Sequence, residues 1–331
     1  MNSENQKIRR SIVFGLGATS VLGASNVLAQ DAYPNKAIRV VVPFPPGANV
    51  DVVARIFTDK LSKELNQSVV VENRPGAGGA LGWDTVMQRP SDGYSLFYAV
   101  RSIMSITPHV YPKNNLNPIK DFTAISQVCT LPHVLIATPN APFNNFKEFV
   151  EFARKNPGKL DYASLGVGSH PHLAVEYWAR QLDLKINHIP YTGNPAIDVM
   201  AGTVPVFLEG SGTAVPRVLS GGVKAIGVTG GSPIPALPNV ATINSFQPGL
   251  DEDGIIGSTW HGFFARKGTP EPIVAMLNKG LAKISQDKDT QKRLTEFASV
   301  GTGTSSQSLN AVIAKDYEFF GNIVKAMKIS T

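Results

Sequence analysis

From Ala37 onward, short β-branched runs alternate with stretches whose apolar residues recur every three to four positions. That alternation confines the chain to an α/β class of parallel sheets covered by helices, since each apolar strand needs both faces buried and each amphipathic helix needs one. IRVVVPF at 38–44 reads as a strand entering a Pro/Gly loop. DVVARIFTDKLSKEL at 51–65 reads as a helix, with Val53, Ile56, Phe57 and Leu61 on one face and Lys60 and Lys63 elsewhere. SVVVEN at 68–73 and GYSLFYAV at 93–100 add buried strands. A similar unit begins near Pro132, with strands at 133–139, 160–166 and 186–191 and helices at 144–156 and 172–182. VKAIGVTG at 223–230 reads as a further strand, 233–254 as a long irregular link, and the tail as helices at 270–285, 287–298 and 306–327.

The 331 residues are 43% hydrophobic and 17% charged, with mean hydropathy −0.02. Those figures suit a globular chain rather than a disordered or polytopic membrane one. Lys plus Arg exceed Asp plus Glu by only 31 to 25. So small and scattered a surplus implies no nucleic-acid partner, although it helps gather anionic ligands. Part of it sits in a leader with the three parts of an export signal: Lys7, Arg9 and Arg10, an apolar stretch at 12–24, and Val27-Leu28-Ala29. The apolar stretch is too short to span a bilayer. Cleavage is expected near Ala29, with Arg9-Arg10 compatible with a twin-arginine route. The one cysteine, Cys129, has no partner for an intramolecular disulfide and is expected to be a small buried apolar residue. A diffusible periplasmic protein is the resulting expectation.

Motifs for catalysis are weak. No G-x-S-x-G occurs, and neither Ser169 nor Ser211 sits in a nucleophile elbow. GAGGALG at 76–82 lacks dinucleotide-loop spacing and reads as a tight turn before a helix. His172 and Glu176 share a helical face and suggest a metal pair, but no further ligands accompany them in sequence. Two loops carry more. PFPPGANVD at 43–51 and SLGVGSH at 164–170 each follow a strand and precede a helix, so each presents free backbone N–H groups at the helix's positive end. Such an end binds a carboxylate without any catalytic group, and two of them on different domains would face each other across a cleft.

Around these loops lie YPNKAIRVVVPFPPGANVD, VVVENRPGAGG, SDGYSL, NPGKLDYAS, GVGSHPHLAVE, HIPYTGNPAIDVMAG and KGTPEPIV, in that order. Over essentially its whole mature length the chain thereby resembles the periplasmic solute-binding proteins of tripartite tricarboxylate transporters, the Bug receptors. The resemblance implies a type II periplasmic-binding-protein fold, two α/β domains with a ligand cleft between them. Domain one would comprise 30–130 plus 255–331 and domain two 131–254. It also implies ligand contacts from Phe44, Pro45, Gly47, Ala48, Val50 and Asp51 on the first loop, with Asp51 alternatively capping its helix. The second loop offers Ser164, Gly166, Gly168, Ser169 and His170, and Tyr191 and Glu209 complete the set, Glu209 standing where the family frequently has aspartate.

Arg101, with Ser102 beside it, departs from the family's small or uncharged residue and suggests either a second anion anchor at the cleft mouth or a surface residue paired to a carboxylate of the protein. Two anion sites separated by Phe44, Pro45 and Val50 would suit an aromatic dicarboxylate such as terephthalate. The expected partners are therefore a small carboxylate and the membrane permease subunits of a tripartite transporter, with the receptor acting as a monomer and without a cofactor. The alternatives are an exported metal-dependent enzyme using His172 and Glu176, and a ligand-sensing subunit for a histidine kinase.

Overall fold

The five residues IRVVV form β1 (Ile38–Val42), buried at every position but Arg39. They lead into α1 (Asn49–Leu65), which buries Val53, Ile56, Phe57 and Leu61 as its periodicity requires, and then β2 (Val69–Asn73). The structure, a computed structural model, describes residues 33–191, 193–251 and 256–329. The export segment expected at 1–29 lies outside the described residues. After β2 come α2 (Ala80–Met87), β3 (Ser95–Val100), the short helices α3 (Arg101–Ser105), α4 (Thr107–Val110) and α5 (Pro118–Asp121), and the long strand β4 (Phe122–Leu131). The chain continues through β5 (His133–Ala137), α6 (Phe146–Lys155), β6 (Asp161–Ser164), α7 (His170–Gln181) and β7 (Asn187–Pro190). Next are α8 (Ala196–Ala201), β8 (Val206–Gly210), α9 (Ser211–Leu219), β9 (Lys224–Val228) and α10 (Ile243–Phe246). It closes with β10 (Thr259–Arg266), α11 (Glu271–Gln286), α12 (Lys288–Thr295), β11 (Val300–Gly301) and α13 (Ser306–Met327).

Two sheets result, ordered β11-β4-β10-β3-β1-β2 and β7-β6-β8-β5-β9. Both are mixed rather than wholly parallel as the alternation predicted. In the first, β2, β1 and β3 run parallel while β10 pairs antiparallel with β3 and β4. In the second, β7, β6 and β8 run parallel while β5 pairs antiparallel with β8 and β9. The parallel strands end where α1, α3, α7 and α9 begin. Such carboxyl ends are where open α/β sheets bind ligands.

Pro132 alone separates β4 in the first sheet from β5 in the second. Lacking an N–H, it is suited to a point where one ladder stops and another starts. The core of the first sheet gathers Trp83, Phe97, Phe122 and Phe264, with Phe97 stacked on Phe122 at 5.2 Å. The second sheet packs Leu135, Leu208, Phe146 and Trp178 on one face and Ala163, Phe207 and Val228 on the other. Helix α13 belongs to both lobes, giving Leu309 and Ile313 to the first core and Phe320, Ile323 and Val324 to the second. The glycines of 76–82 serve packing: a Cβ at Gly79 would lie 2.6 Å from Ile103 Cδ1, and one at Gly82 2.7 Å from Pro43 Cβ. Cys129 is a buried free thiol. Among the described residues, no helix is long and apolar enough to cross a membrane.

Candidate functional site

The first loop is built from underneath by Asp51. This carboxylate, 2% exposed, accepts the Gly47 N–H at 2.9 Å, Arg55 Nε and Nη2 at 3.0 Å each, and Asn73 Nδ2 at 2.8 Å. Asn73 Nδ2 also donates to the Phe44 carbonyl at 3.0 Å. Burial alone would raise the Asp51 carboxyl, but the hydrogen bonds from Arg55, Asn73 and Gly47 hold its pKa below the ordinary value. Asp51 therefore shapes the loop with its side chain turned inward, rather than offering that side chain to a ligand. Gly47 takes φ +80 to make the turn and has open space where a Cβ would stand. Phe44 and Val50 pack against the first core, while Pro45 and Gly47 are exposed and Ala48 half-buried. Ala48 caps α1 without a side-chain hydrogen bond, so the first-turn amides have no side-chain acceptor of their own.

The second loop is propped by two histidines. Gly168 donates its N–H to His172 Nδ1 at 3.0 Å, which fixes the proton of that neutral ring on Nε2. His172 stacks on His188 with centroids 3.9 Å apart, and His188 Nε2 lies 2.6 Å from Ser164 Oγ. Ser164 Oγ in turn accepts the Gly166 N–H at 3.1 Å. Burial pushes the His172 pKa down to about 4; burial, with His172 alongside, does the same to His188. Glu176 accepts the Tyr162 hydroxyl at 2.6 Å, so the two members of the suggested metal pair are engaged separately. Among the described residues, no group of three or more His, Cys, Asp or Glu is placed to hold a metal.

Ser169 caps α7 without a side-chain bond. Its Oγ and both ring nitrogens of His170 are enclosed with no hydrogen-bond partner. His170 stands 4.7 Å from His133, centroid to centroid. Burial first, then His133 and Arg101, push its pKa well below the usual value. Tyr191 donates its hydroxyl to Asp198 at 2.8 Å. Glu209, 2% exposed, receives Arg217 Nη1 on Oε1 at 2.6 Å and Asn194 Nδ2 at 3.4 Å.

Arg101 corrects one expectation. It is 6% exposed, not at an open mouth: Nε bonds Asp316 Oδ2 at 2.8 Å and Nη1 the Ser258 carbonyl at 2.5 Å. Asp316 also accepts Trp260 Nε1 at 2.7 Å. The side chain turns inward at the start of α3 to meet α13, while Ser102 beside it is half-buried.

A third strand-to-helix turn joins the two that the sequence singled out. Gly210 caps α9 without a side-chain bond. Ser211 Oγ reaches the Phe297 carbonyl at 3.3 Å, and a Cβ at Gly212 would lie 3.3 Å from Asn49 Nδ2. The start of α9 on the second sheet thus meets the start of α1 on the first. VFLEGSG carries the same signal as the other loops, an apolar run followed by glycines and a serine. Asn49, whose Oδ1 is enclosed and unpartnered, and Asn194 join the candidate set here.

Two mixed sheets, with the chain crossing from one to the other at Pro132 and helix starts gathered at their carboxyl edges, define a two-domain type II periplasmic-binding-protein fold. Residues 53–329 match the model of the tripartite tricarboxylate transporter family receptors, and the chain belongs to that family. A UPF0065 protein from the tcbD-tcbE intergenic region of Pseudomonas sp. strain P51 is 32% identical, over 97% of this chain and 95% of its own. The periplasmic binding protein BugD superposes with TM-score 0.78 at 30% identity, covering 90% of this chain and 100% of BugD. MatC from Rhodopseudomonas palustris, solved with bound malate, gives 0.76 at 29% identity over 88% of this chain and 100% of MatC. A second R. palustris protein, solved with adipate, gives 0.79 at 26% identity over 88% of this chain and 97% of that one.

Proposed function

We propose that the chain is a periplasmic receptor that captures a small carboxylate between its lobes and hands it to membrane permease subunits of a tripartite transporter. The observation that carries this reading is the set of helix starts at α1, α7 and α9, each without a side-chain cap, at the carboxyl edges of the two sheets. Backbone N–H groups at such ends bind a carboxylate without supplying acid–base chemistry. The contributing residues are Phe44 to Val50 from the first loop and Ser164 to His170 from the second, with Tyr191 and Glu209 at their side. The lobes correspond to 30–130 plus 255–331 and to 131–254. Relatives with bound malate and adipate favour an aliphatic acid. Terephthalate loses its main support now that Arg101 is tied to Asp316.

Calorimetry on the mature protein tests the reading with malate, adipate, succinate, terephthalate and acetate. Saturable 1:1 binding of at least one carboxylate is expected. A broad carboxylate panel without any heat or thermal shift would overturn it.

A further inference from the structure

The segments that carry the chain between the lobes are gripped from both sides, and the grips leave little backbone free. At the first crossing Leu131 still pairs with Thr259 in the first sheet, while His133 already pairs with Gly210 in the second. Pro132 lies between them, and its carbonyl accepts the Ser211 N–H of α9 at 3.1 Å. The proline ring fixes φ, so this crossing turns through the ψ angles of Leu131 and Pro132.

The return crossing, ahead of β10, is held by side chains of different lobes. From the second lobe, Thr229 follows β9 and is fully buried. Its hydroxyl accepts the His133 N–H at 2.7 Å and donates to the Gly257 carbonyl at 2.6 Å. Asp251, 1% exposed, accepts the Gly257 N–H at 2.8 Å, and a Cβ at Gly257 would stand 2.3 Å from Thr229 Cβ. Gly257 is thus fixed to the second lobe. From the first lobe, Arg101 Nη1 donates to the next carbonyl along, that of Ser258, at 2.5 Å, and Thr259 then enters the ladder of β10. Peptide planes are rigid, so φ and ψ of Ser258 are what separates the two held carbonyls. The same guanidinium reaches α13: its Nε bonds Asp316 Oδ2 at 2.8 Å, which also accepts Trp260 Nε1 at 2.7 Å. Asp316 lies between Ile313, which packs in the first core, and Phe320, which packs in the second. The planar fork of an arginine can hold two such acceptors at once.

We infer that Ser258 is the pivot of the return crossing, and that Arg101 is the positioning residue that confines bending to it by pinning the Ser258 carbonyl and the middle of α13 to the first lobe. The use of this pivot in ligand capture rests on the carboxylate-receptor reading, although Arg101 itself makes no contact with the ligand. With the pin in place the lobes share one axis through Pro132 and Ser258, which lie level because Leu131 pairs with Thr259. Without it, bending spreads into Thr259 and Trp260 and the open ensemble widens. Closure then costs more ordering entropy for every ligand alike.

Two variants remove the pin without leaving a buried charge unpaired. Arg101→Lys keeps a cation beside Asp316 but offers a compact head in place of the fork. Arg101→Met/Asp316→Asn removes both charges and leaves Trp260 Nε1 an amide oxygen. Hydrogen exchange on the ligand-free protein is expected to run at least about 10-fold faster at the amides of 258–260 in both variants, while 261–266 keep their wild-type rates. In calorimetry, every acid among malate, adipate and succinate that binds the wild type is expected to lose affinity by one common factor, about 3- to 10-fold. Wild-type exchange at 258–260 in the double variant overturns the inference, even where urea unfolding shows a lower stability. Faster exchange along the whole of β10 marks general loosening and overturns it as well. Loss of affinity for one acid with another unchanged would set Arg101 against the ligand, which also overturns it. Failure of every carboxylate to bind the wild type would instead sink the receptor reading, while exchange in the ligand-free protein still decides the pivot.

Discussion

His172 supports the second loop only while uncharged. Its Nδ1 must accept from Gly168, and protonation turns that acceptor into a donor facing an N–H. The groups around it are the stacked His188, Ser164 beyond that ring, and Glu176 one turn along α7, whose carboxylate is held by Tyr162. Because the folded pKa, about 4, lies below that of a free histidine near 6.5, the unfolded chain takes up the proton first. The stability held by neutral His172 is therefore whole above about pH 6.5 and is lost as pH falls through 4, a change of about 3 kcal/mol. Urea unfolding between pH 7 and 4 checks this. His172→Asn, whose amide oxygen can replace Nδ1 as acceptor, is expected to flatten that part of the acid slope and keep ligand binding. An unchanged slope would show that His172 does not titrate there. Asp51 acts in a lower window, since its carboxyl pKa is depressed: its contribution is present above the ordinary aspartate value of 3.8 and disappears as pH falls below it.

At the scale of elements, the β6–α7 turn depends on Gly168 for two separate reasons. Its φ is +76, and a Cβ there would stand 2.7 Å from both Val110 Cγ atoms, on α4 of the other lobe. Gly168→Ala is expected to cost about 2–4 kcal/mol, part backbone strain and part overlap. Adding Val110→Ala removes only the overlap, so a double-mutant cycle should show favourable coupling of about 1 kcal/mol or more. Zero coupling would mean that the two lobes do not meet at this point in solution.

Across the whole molecule, the lobes are tied by more than the crossing at Pro132 and the return before β10. Helix α13 puts apolar side chains into both cores, and Phe320 reaches within 6.3 Å of the His170 ring. Opening the cleft would separate Gly168 from Val110, Asn49 from Gly212 and Ser211 from Phe297. Closure on ligand should restore those contacts and bury the anion where excluded water strengthens each charge-assisted bond. Small-angle scattering is expected to show a smaller radius of gyration under saturating ligand. An unchanged radius would contradict the hinge.

Local periodicity by itself determined β1, α1, β2, β3, β5, α6, β6, α7, β7, β9 and the helical tail, because apolar spacing marks which face each must bury. It also located two of the three helix starts, from glycines placed after apolar runs. It did not mark β4, β8 or β10 as strands: FTAISQVCTL and TWHGFFAR pair with one another across more than a hundred residues, a partnership no local window contains. The same distance hid the fate of Arg101. Its charge suggested an anion site, but whether a guanidinium meets a ligand or a protein carboxylate depends on where α13 comes to rest, and Asp316 lies 215 residues away. Sequence spacing set which elements form and which loops end in helix starts. Which partner a buried charge finds, as Arg101 finds Asp316, was decided only when distant elements packed, since satisfaction of a polar group belongs to its neighbours in space.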